Sequence, residues 1–567
     1  MKKTALTLLL TLAAAYVSYG QNAADAFLVS ENNYEGTART VAMGNAFTAL
    51  GGDLGAVTIN PASSAVTNYS QLSVTPSLTF STNTAVGVPY AGSTDPYFQR
   101  EMKSRETSFG LPNVGFNFNF NTGRSYGIKN VSVGFVLNMT NSWCENVYAN
   151  GTNSQTSFLA AAAADATDEI SWMNQNKAPG EADFTKEDFL ADNAYEYMRW
   201  KDVVGYRGGL FSAFDSAGKE FVGATEIIQS DGSIAQAGKV DQTYGRMVSG
   251  TKYDYVLNLG MNISDFVYLG LNVGVSSIDY SYMHYFKETA VNPDNFENIF
   301  TNSDGTETTT YFKNGRYQYN YNMEGSGVFG KLGIIVTPGA GLRFGAAVQT
   351  PTGTTITEEW KESASTSFTD SQFDGDASSP VGPDMNRQRY DIRSPWTANF
   401  GAAYTIGDFA VISADYELAA YGGMEYTIDR HNMSEDYISY IETINDDIKN
   451  AYGTAHYFRL GAEIKPVDAF AIRLGYNLNT SAQKKYYDEY YEEYRDLEQS
   501  YGQNISFGAG FSSRGSFFAD VACRYTFVTK EYIYPYSDYL QSHDILSPEI
   551  LNRHSNWKVL LTLGWRF

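Results

Sequence analysis

The chain has 567 residues, 63 acidic against 40 basic, and a formal net charge of −23. That balance argues against nucleic acid as a partner, because no basic patch dominates. Beyond the N-terminus there is no uncharged apolar run of about 18 residues, which excludes helical membrane spans; the mildly polar hydropathy instead suits a transmembrane β-barrel, where only every second strand residue meets lipid.

In chain order, residues 1–20 read as a secretory signal peptide: Lys2 and Lys3, an apolar stretch from Thr4 to Val17, then Ser18-Tyr19-Gly20 before Gln21. Its removal takes the 40 basic residues to 38 against 63 acidic ones, a net −25. Residues 21–70 are glycine-punctuated and lack the alternation of the rest of the chain. A segment this small cannot bury a core alone and is expected to pack inside a larger host as an N-terminal hatch.

From residue 71 to 567 period-2 alternation predicts fourteen strands: 71–80, 106–120, 128–140, 251–263, 266–285, 311–337, 342–351, 395–406, 409–421, 455–464, 470–479, 502–513, 516–528 and 555–567. The gaps alternate short and long. Short ones such as Ser264-Asp265, Gly407-Asp408 and Arg514-Gly515 carry turn chemistry; long ones include 81–105, 141–250, 352–394 and 422–454. An antiparallel barrel with periplasmic turns and outer loops must show this rhythm, and an even strand number results.

The longest loop, 141–250, is too long to be structureless. Phe158 to Trp172 is helix-permissive, and Thr185-Lys186-Glu187-Asp188 has the form of a capping box. Phe189, Leu190, Tyr197 and Trp200 give the segment after the box an apolar side, so a partly helical cap is expected. The last strand puts Trp557, Val559, Leu561, Leu563, Trp565 and Phe567 on one face. With 43 tyrosines and 15% aromatic residues, aromatic belts at both membrane interfaces are expected.

The same parity turns Arg343, Asp415, Glu417, Arg459, Glu463, Arg473, Asp520, Arg524, Lys558 and Arg566 into the lumen. Both signs occur at similar depths, so a salt-bridged interior network is expected, with Arg343, Arg459, Arg473 and Arg524 as candidates for that network or for a ligand carboxylate. Cys144 and Cys523 are expected to be unpaired, Cys523 toward lipid.

Within the N-terminal segment, Ala38-Arg39, Met43-Gly44-Asn45-Ala46-Phe47, Asp53 and Asn60-Pro61-Ala62 resemble the FadL-type family of outer-membrane transporters for long-chain fatty acids and other hydrophobic molecules. The resemblance implies a fourteen-stranded barrel with these residues in a hatch, the motif positions being Gly44, Phe47, Asp53, Asn60, Pro61 and Ala62. It implies capture by outer loops, binding in the lumen, a shift of the hatch, and lateral exit at a kinked strand, for which Gly134 is the candidate. It also implies a bacterial outer-membrane location, lipids and hydrophobic small molecules as partners, a monomer, no cofactor and no enzymatic role. An adaptor barrel linked to protein secretion, or a receptor for haem or another hydrophobic ligand, is the alternative.

Other motifs carry less. Gly325 to Lys331 has most of a P-loop pattern but Leu332 where Ser or Thr is needed, and it lies in a strand. The five histidines have no metal-ligand spacing, and no metal is expected. Asn302-x-Asp304-Gly305 and Asp374-x-Asp376 lack the distal Glu of a calcium loop. The run Tyr486 to Glu498 reads as a solvated face bridged to surface lipids by divalent ions.

Overall fold

The computed structural model describes residues 22–89, 97–301, 304–382, 386–488, 493–513, 515–536 and 545–567. The signal segment, His543 and Arg514 of the Arg514-Gly515 turn lie outside them. Fourteen antiparallel strands close into a barrel. They are β1 (Gln71–Gly87), β2 (Met102–Asn121), β3 (Ile128–Asn153), β4 (Val240–Ile263), β5 (Val267–Ala290), β6 (Glu307–Gly339) and β7 in two pieces (Leu342–Gln349, Gly353–Phe368). Then come β8, also in two pieces (Arg387–Arg393, Thr397–Ile406), β9 (Ala410–Ala420), β10 (Thr454–Val467), β11 (Phe470–Thr480), β12 (Tyr501–Ser512), β13 (Phe517–Ile533) and β14 (Ile550–Arg566). Each strand pairs with the next, and β14 pairs with β1 from Gln71↔Arg566 to Gly87↔Ile550.

The turns are set by backbone conformation. Ser264 and Asp265 both adopt left-handed φ, near +57° and +56°, as the central residues of the tight turn that Phe266 N closes on Ile263 O, in the three-residue loop between Ile263 and Val267. The outer wall carries Leu72, Leu78, Phe116, Phe118, Leu257, Leu474, Val559 and Trp565, all exposed. A closed barrel with such a wall pairs its last strand with its first and turns its apolar face to acyl chains, and that makes it an outer-membrane protein.

Several expected boundaries shift outward. β6 runs for 33 residues, about three times what crosses a bilayer, so the staves stand well above the membrane. Strands continue to Asn153 and resume at Val240, which cuts the cap to residues 154–239. The expected loop 352–394 is largely strand, hidden from the alternation by breaks at Pro351 and Pro395. The expected loop 422–454 holds a helix: Glu435–Ala451, with Ser434 as N-cap and Ile438, Ile441, Ile444 and Ile448 buried at helical spacing.

The cap contains the expected helices. In chain order the helices are α1 (Ala23–Ser30), α2 (Ala38–Ala42), α3 (Phe158–Asn176), α4 (Lys186–Leu190), α5 (Trp200–Arg207) and α6 (Glu435–Ala451). Thr185 and Asp188 close the capping box on α4. Phe158, Phe189, Phe211 and Phe221 of the cap share one buried cluster with Phe286, Phe312 and Phe368 of the wall. The cap is therefore packed into the barrel mouth.

Candidate functional site: hatch seat, wall seam and upper chamber

Residues 22–70 lie inside the barrel. Their partners come from around the ring: Asn117 of β2, Asn258 of β4, Asn272 of β5, Lys331 of β6, Asp415 of β9, Glu463 of β10, Arg524 of β13 and Lys558 of β14. The approach is close because inward positions at this depth are glycines. A Cβ at Gly270 would stand 2.1 Å from the Pro61 carbonyl carbon, at Gly345 2.0 Å from the Thr48 oxygen, and at Gly475 2.1 Å from the Gly44 nitrogen. The wall has given up side chains so that the hatch backbone can touch it.

The motif residues serve this seat. Gly44 has φ near +63° and Phe47 is fully buried under the Arg39 guanidinium. The Asp53 carboxylate accepts from Thr37 Oγ1 at 2.7 Å and Gly55 N at 2.9 Å. Asn60 Nδ2 donates to the Thr48 carbonyl at 2.7 Å and the Ile334 carbonyl of β6 at 3.1 Å, while its Oδ1 accepts from Ala62 N. Pro61 opens a 3₁₀ turn with its carbonyl held by Asn258, and Ala62 is buried.

The ten lumen charges form networks. Glu463 takes Arg39 at 3.0 Å and Arg473 at 2.6 Å, and Arg473 also takes Asp520 at 2.5 Å. Arg459 pairs with Glu417 at 2.8 Å, and Glu35 of the hatch joins Arg524 at 2.7 Å with Lys558 at 2.9 Å. Arg343 donates to the Leu50 carbonyl, Thr48 N donates to Asp415, and Arg566 lies over Tyr69. Each of the four candidate arginines thus has a partner in the lumen or the hatch, and Arg524 also lines a cavity.

The wall has a seam between β2 and β3. Their ladder runs from Asn121↔Asn130 to Asn113↔Asn138 and stops there, although β2 continues to Met102 and β3 to Asn153. Pro112 supplies no N–H to continue it, and Leu111-Pro112 face the single Pro76 of β1 across a register shift. On β3 a second shift falls between Met139 and Asn141. The hatch takes over the freed carbonyls: Asn33 N donates to Thr140 O at 2.5 Å and Glu35 N to Met139 O at 3.0 Å. Asn138 links the two edges, accepting from Asn113 at 2.6 Å and donating to Gly55 O at 3.1 Å. Outward Phe109 at the seam pairs with Leu78 of β1 in the apolar wall, so the seam opens at lipid level.

Gly134 is not this interruption. It sits in continuous ladder between Asn117 and Asn258. Its missing side chain makes room for the Asn117 amide, which holds the Ser64 carbonyl. Proline and bulges, rather than glycine, are the sequence signal for the seam. Behind the seam is a polar cavity of about 460 Å³ between hatch and wall, lined by Glu35, Asn141, Cys144, Glu145, Arg524 and Lys558 among others.

Above the hatch the inward face becomes aromatic. Tyr280, Tyr282 and His284 of β5 stand beside Tyr321, Tyr319 and Tyr317 of β6, and β7 adds Trp360. Trp557 and Trp565 are exposed on the outer wall, whereas Tyr280, Tyr282, Tyr317, Tyr319 and Tyr321 face this chamber.

No protein-family profile matches the sequence, and no curated protein matches it. Among solved structures the chain is similar to the toluene transporter TodX of P. putida, at 11% identity over 94% of this chain and 98% of that one, with a TM-score of 0.45. It is similar also to a FadL homologue of Pseudomonas aeruginosa, at 10% identity over 94% and 98%, with a TM-score of 0.47, and to the toluene transporter TbuX of Ralstonia pickettii, at 11% over 94% and 98%, with a TM-score of 0.40.

Proposed function

We propose that the chain is a monomeric, non-enzymatic passage for hydrophobic small molecules across the outer membrane. Ligand enters under the cap, rests in the upper lumen, and leaves sideways through the β2–β3 seam into the bilayer when the hatch releases Met139 and Thr140. The observation that carries the reading is the pairing of a lipid-level seam with a hatch that bridges it. An apolar solute gains nothing from a watery axial exit and dissolves readily in acyl chains. The axial route is in any case filled by the hatch on its glycine seat. Long-chain fatty acids are the ligand that the sequence resemblance implies.

The test is a staple across the seam. Ser104 Oγ bonds the Asn146 carbonyl from the opposite edge, so Ser104→Cys with Asn146→Cys, in a Cys144→Ser, Cys523→Ser background, accepts a short reversible dithiol linker. Linking should abolish uptake of labelled oleate and of pyrene by cells, and reductant should restore it. Uptake that persists with the seam stapled overturns lateral exit.

A further inference from the structure

The upper chamber has a chemistry that simple hydrophobic passage does not need. Along β7 the inward residues read Glu358, Trp360, Glu362, and they face the tyrosine rows of β6 and β5. The rings form a connected surface: Tyr319 lies 6.4 Å from Tyr282, 5.5 Å from His284 and 6.4 Å from Tyr321, stacked on the last. Trp200 of α5 in the cap closes on Trp360 at 5.5 Å, and Trp143 of β3 meets Tyr280 at 5.3 Å. Tyr280, Tyr282, Tyr319 and Trp360 are only half-buried, whereas Tyr317 and Tyr321 beside them are buried.

Three carboxyl groups sit among these rings without a counter-ion. Glu358 is fully buried; its Oε2 accepts from the Tyr321 and Tyr390 hydroxyls at 2.8 and 2.9 Å, and its Oε1 has no partner. Glu362 accepts from the Tyr317 hydroxyl at 2.8 Å. Asp25 of α1 is the third, and its charge and that of Glu358 repel each other. Among the described residues no Lys or Arg pairs with any of the three. The neighbouring cations are already committed: Arg246 to Glu145 and Glu531, Lys201 to Asp165, Arg199 to Asp202. In the hatch seat below, Glu35, Glu417 and Glu463 each meet a cation; these three carboxyls do not.

Carboxylates removed from water without a cation are costly, and the faces of Tyr and Trp attract cations through their quadrupole. We infer that the chamber is a binding site for hydrophobic organic cations, an ammonium group on a ring-bearing or alkyl body, with the charge held by Glu358, Glu362 and Asp25 and the body against the tyrosine rows. The same groups disfavour an aliphatic carboxylate, so the inference sets cations above the fatty acids that the sequence resemblance implies. The inference rests on the passage reading and specifies its cargo.

The test uses the full chain in non-ionic detergent and three matched probes: 4-phenylbutyltrimethylammonium, its tert-butyl analogue, and 5-phenylpentanoate. Calorimetry should give the cation an advantage of about tenfold over both, the size expected of a desolvated cation–π contact with a charge partner. Glu358→Gln with Glu362→Gln should remove that advantage and leave the neutral probe unchanged, whereas Trp360→Leu should weaken both. Equal binding of cation and neutral analogue, or a cation affinity untouched by the double Gln variant, overturns the inference. If the neutral probe still binds and crosses, the passage reading survives that loss; if no probe binds or crosses, passage itself fails.

Discussion

The wall is interrupted twice by prolines on neighbouring strands, and the two breaks are handled differently. At Pro351 and Pro395 the sheet repairs itself. Thr350 N reaches Gly330 O at 2.9 Å, Gly330 N reaches Thr350 Oγ1 at 3.0 Å, Ser394 N reaches Thr352 O at 3.0 Å and Thr352 N reaches Ser394 Oγ at 2.9 Å. At Pro112, which faces Pro76 across the still-paired β1 and β2, the β2 and β3 edges separate, and the hatch supplies bonds to β3. A hydroxyl repair is fixed for as long as the strand exists. A hatch repair lasts only while the hatch is docked, so the proposed exit makes the first break a fixed corner and the second the gate.

Variants that undock the hatch should break that contrast most strongly. Gly270→Leu forces a side chain into the Pro61 backbone. The hatch should fail to seat, the barrel should conduct ions freely in planar bilayers, and spin labels across the β2–β3 seam should move apart while labels across β7–β8 stay put. Glu35→Ala comes next. It leaves Arg524 and Lys558 buried without their carboxylate, which costs about 3–5 kcal/mol, read as a lower denaturant midpoint and faster amide exchange at Asn33 and Glu35. Glu35→Gln should lie between it and the parent.

The fixed corner should respond less. Thr350→Val with Ser394→Ala removes two repair bonds, about 1 kcal/mol each, and should lower stability with no change in uptake. A loss of uptake comparable to that of the stapled seam would mean the corner also moves. The smallest effect should come from the cap. Burial pushes the Glu226 carboxyl up to about 7, with Glu288 adding repulsion against the Gly223 N–H bond that favours the charge. A raised carboxyl favours the folded cap in its protonated form. That stabilisation is present below the unfolded value and is lost as pH climbs toward 7. Amide exchange around Gly223 to Ile228 should therefore quicken from pH 5 to pH 7.5, and Glu226→Gln should flatten the profile.

Much of the barrel is legible in the sequence because a lipid-facing wall enforces strict alternation. Val114 to Phe120 and Trp557 to Phe567 announce strand and face at once, and the ten lumen charges come from the same parity. What escapes lies where another rule takes over. Above the membrane both faces are wet or packed, so β3 runs on to Asn153 without a readable stripe. Pro351 and Pro395 cut two staves that the sheet rejoins through side-chain hydroxyls. The isoleucines of 438–448 carry a helical period between two strands, where alternation alone reads a loop. A search for a glycine kink leads to Gly134 and passes over the seam, whose mark is the Pro76 and Pro112 pair. The chamber stays hidden while the tyrosines as a class are expected in interfacial belts, because composition does not say which way a ring points.

The glycine seat also bears on assembly. The hatch precedes the first stave in the chain, yet it bonds the last: Ala38 N meets Thr562 Oγ1 at 2.8 Å, and Glu35 holds Lys558. A sheet that curls with this segment already seated brings β14 to β1 over contacts that are in place, while a barrel that closes without it keeps its ladder and loses the inner surface those contacts cover.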